Sequence, residues 1–413
     1  MYLKAVQLLN GFFYFSALNF MTKLRVLMIG PGEPNALNSG LGVAASHIAK
    51  SLAEKVEIII IQPEDINNID IDKFNDSELM TDLTKVNIRA NLSPYFYSYS
   101  VISNLKVNNN TVDSSVKSEL DRFTKNAVKE SKKIDFDVIY AHDWTAVPAG
   151  IEIKKKTNKP LVVHMHSLDF DRNSSRNQSW IHDLEEESFK KSDAIISVSD
   201  YTSDVIIENY EGVKKNKVHT VYSGSTPFVR GKRKKVFKEK LVLFVGRLTG
   251  QKGPNIFMEI AEKVLKKYPN TRFVLAGEGH MMSDLINAAA AKRIGSKFHF
   301  TGHIDRQKLE DLYSMADVYC MPSVSEPYGL TALEAASAGL PVVLSKQSGA
   351  AEVLSGALSA DHWDVDKFVK HIVSILKNNK VRKKIIDKNS KDLKELSWEN
   401  TANQVLNVFD KVR

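Results

Sequence analysis

Two short stretches in the second half of the chain carry charge where folding makes charge costly. The first is "SEPYGLTALEAASAGLPVV" (325–343), which runs from a polar turn into small apolar residues. Between Pro327 and Ser345 its one charged side chain is Glu334. A helix starting near Leu330 puts Glu334 one turn after Leu330 and beside Leu333, on their side. A buried carboxylate needs fixed donors or a ligand, and a pair of sugar hydroxyls would serve. The plainer reading is a carboxylate that caps or pairs within its own domain. Glu326 precedes it, with seven residues between them, in a turn at the end of an apolar run, and Gly329 lets backbone approach a ligand there.

The second stretch is "GRLTGQKG" (246–253), placed between the apolar run "LVLFVG" (241–246) and a helical pattern. A strand, a Gly-rich turn and a helix gather backbone N–H groups and a positive dipole at one point. Arg247 and Lys252 add two full charges. That combination suits a diphosphate and can neutralise one that is leaving. It is neither a Walker loop, having no Gly-Lys-Ser/Thr, nor the dinucleotide fingerprint, whose glycine spacing differs. A surface turn with solvated cations is the plainer alternative.

The elements that must position these residues are legible as alternation. Short apolar runs at 24–30, 56–61, 137–141, 161–165, 194–199 and 218–223 alternate with helical patterns in the first half. Runs at 241–246, 272–277, 297–302, 317–322 and 341–345 do so in the second. Near-continuous apolar strands alternating with helices predict parallel sheets covered on both faces. The expected architecture is α/β, with two doubly wound Rossmann-like domains facing each other across a cleft. A first domain over 21–225 and a second over 241–396 are joined by a basic linker at 226–240. Ligands in such folds bind beyond the carboxyl ends of the strands. Residues 62–120 read as polar, irregular loops on the first domain, with the aromatic cluster "PYFYSYS" (94–100) as either a core group or a sugar-stacking platform.

Composition sets the bounds. A chain of 413 residues fits two ordinary domains, and 43% apolar with 26% charged residues describes a soluble globular protein. One cysteine, Cys320, excludes a disulfide framework and a cysteine-rich metal site, and a cytoplasmic location is expected. The net charge is +8, concentrated in part in "RGKRKKVFKEK" (230–240). With Phe237 as its one aromatic residue, that run reads as a solvated linker, and no nucleic-acid partner is expected. Residues 1–20 are apolar with one charge, Lys4, but Asn10, Gly11, Ser16 and Asn19 interrupt them. They read as an extension outside either domain, with weak peripheral membrane contact as the second reading and a signal peptide as the third.

Taken together, Gly-Arg-x-x-x-Gln-Lys-Gly followed by the two spaced glutamates resembles the retaining nucleotide-sugar glycosyltransferases of the GT-B fold. The resemblance is to glycosyltransferase family 4 and its glycogen- and starch-synthase relatives, from about residue 24 onward. It implies that Arg247 and Lys252 hold the donor diphosphate, Glu326 contacts the transferred sugar and Glu334 binds the ribose. Gly246, Tyr328, Gly329 and Leu330 join the donor site by the same resemblance. "NSGLGVAASHIAKSL" (38–52) resembles the family's N-terminal glycine loop, placing Gly40 and Gly42 near the phosphates, with Ser39 where many relatives have another glycine. "AHDWTAVPAG" (141–150) is similar to the His-Asp-Trp element of glycogen synthases and marks Asp143. "HMHSLDFDR" (164–172) resembles a synthase stretch that puts His166 beside the donor sugar. "SKQSGAAEVL" (345–354) resembles the loop that brings Gly349 near the sugar, and 397–413 resembles the helix that crosses back to the first domain. "VYSGSTPF" (221–228) departs from the family, with Ser223 where an Asn is usual and no Asp after it.

The implied activity is transfer of a hexose, glucose first among them, from a UDP-, ADP- or GDP-sugar to a saccharide or lipid-linked acceptor. No cofactor and no essential metal are expected, because Arg247 and Lys252 supply the compensating charge. Four D-x-D matches, at 70–72, 135–137, 169–171 and 364–366, carry little weight in a chain rich in Asp. An α-glucan synthase proper is a narrower form of this reading. An epimerase of nucleotide sugars on the same fold and a non-catalytic sugar-nucleotide-binding protein are its rivals.

Overall fold

The computed structural model describes residues 23–30, 40–64, 83–90, 92, 109–172, 179–228 and 237–413, with only the backbone described at 64 and 109–113. The extension 1–20, the cluster 94–100, the D-x-D at 70–72, Ser39 and most of the basic run lie outside them.

Among the described residues the strands form two sheets, all of whose neighbouring strands run parallel. The first contains β1 (Arg25–Ile29), β2 (Glu57–Glu64), β3 (Leu83–Arg89), β4 (Val138–His142), β5 (Leu161–Met165), β6 (Ala194–Ser197) and β7 (Val218–Thr220). The second contains β8 (Lys240–Val245), β9 (Thr271–Ala276), β10 (Phe298–Phe300), β11 (Val318–Met321), β12 (Val342–Ser345) and β13 (Leu358–Ala360). Their orders are β3-β2-β1-β4-β5-β6-β7 and β10-β9-β8-β11-β12-β13. Each sheet therefore reverses direction of winding once, between β1 and β4 and between β8 and β11. At such a switch the loops leaving two adjacent strands turn to opposite faces and open a crevice.

The apolar runs become buried strands because both faces are covered. β4 and β5 are buried at every position. In the first domain, Leu27, Ile139 and Val163 face one apolar cluster, and Met28, Tyr140 and Val162 face another on the opposite side. In the second domain, Phe244, Phe257 and Phe273 fill one side, and Leu243, Tyr319 and Leu333 fill the other. The last helix, Trp398–Val412, gives Ala402, Val405, Val408 and Phe409 to the first domain's cluster. Both connections between the domains run side by side. Ser225 N donates to Leu396 O at 2.8 Å, and a Cβ at Gly224 would stand 2.4 Å from Trp398 N.

Residues 62–120 depart from the reading as irregular loops. They contain β3, an edge strand whose outer residues are exposed, and the start of a 23-residue helix, Asn109–Ser131. The helix is polar on average, yet Val116, Leu120, Phe123 and Ala127 recur at helical spacing and are buried. That narrow stripe is what holds the helix, and the surrounding Asn, Ser and Lys hide it in the sequence. β13, "LSA", carries no apolar run in the sequence, since only Ala360 of its three residues is fully buried. Among the described residues no helix is long and apolar enough to cross a membrane.

Candidate active site

The two switch points face each other across a cavity of about 560 Å³. From the first domain come Gly40, Leu41, His166, Ser167 and Ser223; from the second come Gly246, Arg247, Gln251, Lys252, Glu326 and the run Tyr328–Thr331. The ends of β9 and β10 add Gly277, Glu278, Gly279 and His303, which the sequence reading did not single out. The signal was the pair of glycines in "AGEGH" directly after a strand.

The two charged stretches are assembled by backbone. In "GRLTGQKG" a short 3-10 turn, Gly250–Lys252, ends at Gly253. Gln251 O accepts from Val324 N at 2.9 Å and from Ser325 N at 3.4 Å, which ties this turn to the loop carrying Glu326. Glu326 N donates to Gln347 O, and Gly349 N donates to Glu326 O at 3.1 Å, so the loop is held from both sides. Lys252 Nζ then meets Glu326 Oε2 at 2.5 Å, with the Glu326 side chain 7% exposed. Each is the other's charge partner, which satisfies both in a place where either alone would be costly. Arg247 reaches Gln251 Oε1 at 3.3 Å from the same turn.

Gly253 fixes the join. Its φ is +67°, and a Cβ on it would lie 2.3 Å from Pro322 O at the end of β11. Gly253→Ala is expected to cost at least 1–3 kcal/mol in backbone strain, roughly, and to weaken nucleotide binding as the turn carrying Lys252 shifts. Thermal unfolding together with a nucleotide-binding titration checks both.

The helix end facing the cavity differs from the one expected. In the second domain the N-terminus that lines it is that of Leu330–Ser337, through Gly329, Leu330 and Thr331, and from the first domain the start of Gly40–Ala53 lines it too. The helix after "GRLTGQKG", Pro254–Lys267, starts behind the lining. Gly329, with φ +101°, is the N-cap of this helix, whose first residues, with their unpaired N–H groups, line the cavity.

Glu334 is half-buried and outside the lining. Its Oε1 pairs with Arg306 Nη1 at 2.6 Å, and its Oε2 accepts from the Tyr313 hydroxyl at 3.1 Å. Protein groups therefore satisfy the carboxylate that the sequence left open. Gly42 is buried in the helix Gly40–Ala53, whose first turn reaches the cavity through Gly40 and Leu41. Gly349 supports Glu326 from behind the lining rather than from within it.

On the first domain, the loop after β5 is held as firmly. Asp143 is fully buried, begins the helix Asp143–Thr157 and has φ +57°. Its Oδ1 accepts from His166 N at 2.6 Å and Ser167 N at 3.4 Å. Asp143 lies behind the cavity and fixes the backbone of His166; it does not line the cavity itself. Burial pushes its carboxyl up to about 6. Arg172 donates to Ser167 Oγ at 2.7 Å and Glu185 Oε1 at 2.9 Å, and Glu185 also takes Asp169 N at 3.0 Å. Asp171 accepts from the Ser325 hydroxyl of the second domain, one residue before Glu326. All three described D-x-D matches thus have structural tasks: Asp171 here, Asp137 in accepting from Arg25 N at 2.9 Å, and Asp364 as the N-cap of Val365–Lys377.

Further bonds hold the domains together beside the cavity. Glu352 of the second domain accepts from Asp200 N at 2.9 Å and Tyr201 N at 2.7 Å, capping the helix Asp200–Asn209 of the first. Ser199 Oγ donates to Pro327 O at 2.5 Å, and the Tyr328 hydroxyl donates to Ser223 O at 2.5 Å. This contact uses the backbone oxygen of Ser223 and not its side chain.

Three histidines stack at the carboxyl ends of β4 and β5. His142 and His164 are fully buried, and His166 lines the cavity. Ring centroids are 5.2 Å apart for His142 and His166 and 4.3 Å for His164 and His166, with interplanar angles of 19° and 21°. Their nitrogens lie within 4.8 Å of one another, close enough to suggest a metal cage. Nitrogens of all three are already engaged, however: His142 Nδ1 bonds His166 Nε2 at 3.0 Å and His164 Nδ1 bonds the Tyr140 hydroxyl at 2.6 Å, and these bonds account for the cluster without an ion. The rings form a ladder, and burial holds His166 down to about 3 and the other two well below the ordinary 6.5.

A consequence is testable by linkage. A histidine kept neutral by the fold takes up a proton only on unfolding, so its contribution is intact above 6.5 and is lost as pH falls below that value. The stability gap between wild type and His164→Phe is therefore expected to be widest above pH 6.5. It should narrow by up to about 1.4 kcal/mol per pH unit below it. Urea unfolding of both proteins at a series of pH values measures the gap.

The facing switch points, the inward helix end and the paired cations and carboxylates define a two-domain glycosyltransferase of the GT-B fold. Residues 39–225 match Glycosyltransferase Family 4, and residues 225–392 match Glycosyl transferases group 1. The chain belongs to this family of glycosyltransferases. An uncharacterized glycosyltransferase of Methanocaldococcus jannaschii is 31% identical over 295 residues, which is 66% of this chain and 75% of that protein. Glycogen synthase of Mycobacterium tuberculosis is 27% identical over 346 residues, 80% of each. Among solved structures, HepE of Anabaena in complex with UDP-glucose superposes with a TM-score of 0.67 at 15% identity, over 94% of this chain and 100% of that one. That last likeness is one of fold.

Proposed function

We propose that this glycosyltransferase moves a hexose, glucose first among candidates, from a nucleoside diphosphate sugar to a hydroxyl acceptor with retention at the anomeric carbon. The observation that carries the reading is the convergence of Arg247, Lys252, Glu326 and His166, from both domains, on one cavity. The binding of UDP-glucose by HepE and the kinship with a glycogen synthase support the donor class.

The bond from the anomeric carbon to the diphosphate oxygen breaks as the acceptor hydroxyl attacks on the same face. The acceptor proton passes to the leaving phosphate oxygen. Arg247, Lys252 and the N-terminus of Leu330–Ser337 stabilise the developing negative charge, and no carboxylate nucleophile is needed. Glu326, released from Lys252 when the diphosphate takes that ammonium, receives sugar hydroxyls. His166 holds the sugar from the other side. Glu334 serves the ribose by exchanging one oxygen away from Arg306, whose side chain is 50% exposed and keeps Glu310 at 3.5 Å as a second partner. Closure of the domains around the donor excludes water and so limits hydrolysis.

The test incubates the purified protein with UDP-, ADP- and GDP-glucose, with and without glycogen or maltooligosaccharide, and follows nucleotide release. The same reactions are run with a chelator, and transfer is expected to persist there. Glucan-dependent release from one donor identifies an α-glucan synthase. Slow release without glucan keeps the transferase reading and directs the search to saccharide or lipid-linked acceptors. Isomerised sugar without release points to epimerisation and overturns it. Neither release nor binding of any donor overturns it for glucose.

A further inference from the structure

We propose that His142, which lies outside the cavity lining, is a positioning residue that sets the tautomer of His166. In this arrangement His142 donates from Nδ1 to Nε2 of His166. His166 then keeps its own proton on Nδ1 and presents an N–H donor to the cavity.

The geometry starts from one contact. His142 Nδ1 and His166 Nε2 are 3.0 Å apart, a hydrogen bond in which one ring must supply the proton. Both rings are neutral, because burial disfavours charge on each. Each therefore owns one proton, and two arrangements exist. If His166 donated from Nε2, His142 would carry its proton on its own Nε2. That atom is buried and has no partner among the described residues, so an N–H would be orphaned in the interior. If His142 donates from Nδ1, the same atom is left with an unpaired acceptor instead. An orphaned buried N–H is the rarer and costlier of the two, so the second arrangement wins.

The surroundings of His142 leave it little freedom. The Tyr140 ring meets it edge-on at 4.3 Å, and His164 lies over it at 5.2 Å. Tyr140 spends its hydroxyl on His164 Nδ1 at 2.6 Å, so it is not a partner for His142. On the other side, His166 Nδ1 has no hydrogen-bond partner among the described residues and is not buried, and His166 lines the cavity. The nitrogen that remains for a ligand is thus the one that carries the proton.

The chemistry that follows is selective. A neutral imidazole N–H donates to a sugar oxygen and cannot accept from one. It also rejects an ammonium substituent at the same place, where the two donors would face each other. That a sugar is the recipient rests on the transferase reading above; the tautomer does not.

The experiment uses the full chain labelled with 15N-histidine and long-range proton–nitrogen correlation, with a His166→Gln protein to assign the ring. The expected pattern for His166 is a protonated Nδ1 and a bare Nε2. In His142→Leu the Nε2 of His166 loses its donor. The pattern should then change, with a roughly three- to tenfold rise in the donor KM and a smaller change in kcat. In His142→Asn an amide N–H reaches the position of Nδ1, so the tautomer should return and KM should recover toward the wild-type value. A protonated Nε2 on His166 in the wild type overturns the proposal. So does an unchanged pattern in His142→Leu. Should His142→Leu fail to fold, the wild-type pattern decides alone. If no sugar is transferred by any protein, the spectra still settle the tautomer and the transferase reading is what fails.

Discussion

Lys252→Met is expected to slow sugar transfer by about 10²–10³-fold, the loss typical when one preorganised donor to a developing anion is removed. A second effect separates this variant from a simple loss of charge. Glu326, with its side chain 7% exposed, has Lys252 as its ion-pair partner and a Ser323 hydroxyl at 3.4 Å as a weaker one. Removing the ammonium strands the carboxylate and should cost about 3–5 kcal/mol of stability. The double variant Lys252→Met, Glu326→Gln removes the stranded charge, so most of the stability should return while turnover stays low. Urea unfolding and initial rates on the three proteins give the answer. Full turnover in the single variant would mean that the diphosphate is held elsewhere.

Phe409→Ala is expected to destabilise the first domain by about 3–5 kcal/mol, the usual range for deleting a buried phenyl ring. Phe409 is fully buried and meets Tyr140 edge to face, with centroids 5.1 Å apart. Tyr140 in turn holds His164, so the histidine ladder loosens with it. The second domain contributes nothing to this cluster. Hydrogen exchange should therefore show the loss of protection in β1, β2 and β4 of the first domain and not in β8 to β13. Equal loss in both sheets would mean that the two domains unfold as one unit.

The sheets were legible in the sequence because parallel strands covered on both faces are written as uninterrupted apolar runs. β5, "LVVHM", is buried at all five positions and reads the same way on paper. The edge strand β3 did not, since "LTKVNIR" has polar residues facing solvent on its outer positions. The two charged stretches were legible because Lys252 and Glu326 carry unusual chemistry at strand ends. What stayed hidden was their relation. Nothing local in "GRLTGQKG" says that its lysine meets Glu326, 74 residues on, because a fold-level pairing of β8 with β11 brings them together. Glu334 shows the reverse. Its isolation among small residues was plain, but Arg306 and Tyr313, which satisfy it, come from another helix. Asp143 and Asp171 likewise hold backbone or the opposite domain, tasks that leave no periodic mark.

The last helix gives the order of events during synthesis an unusual constraint. The first domain's core is closed by Ala402, Val405, Val408 and Phe409, which leave the ribosome after the whole second domain. The second domain, by contrast, is complete before the last helix: its last strand ends at Ala360, and Phe368, Val369, Ile372 and Ile385 from the next two helices fill its cluster. The nascent chain must therefore carry an incomplete amino-terminal half, with part of one face of its sheet uncovered beside the helix Gly40–Ala53, while the later half is already able to fold. That interval is when the protein is most exposed to misassociation and most in need of a holding chaperone. Chains truncated before Trp398 and released should therefore have a first half that remains sensitive to protease and a second half that does not.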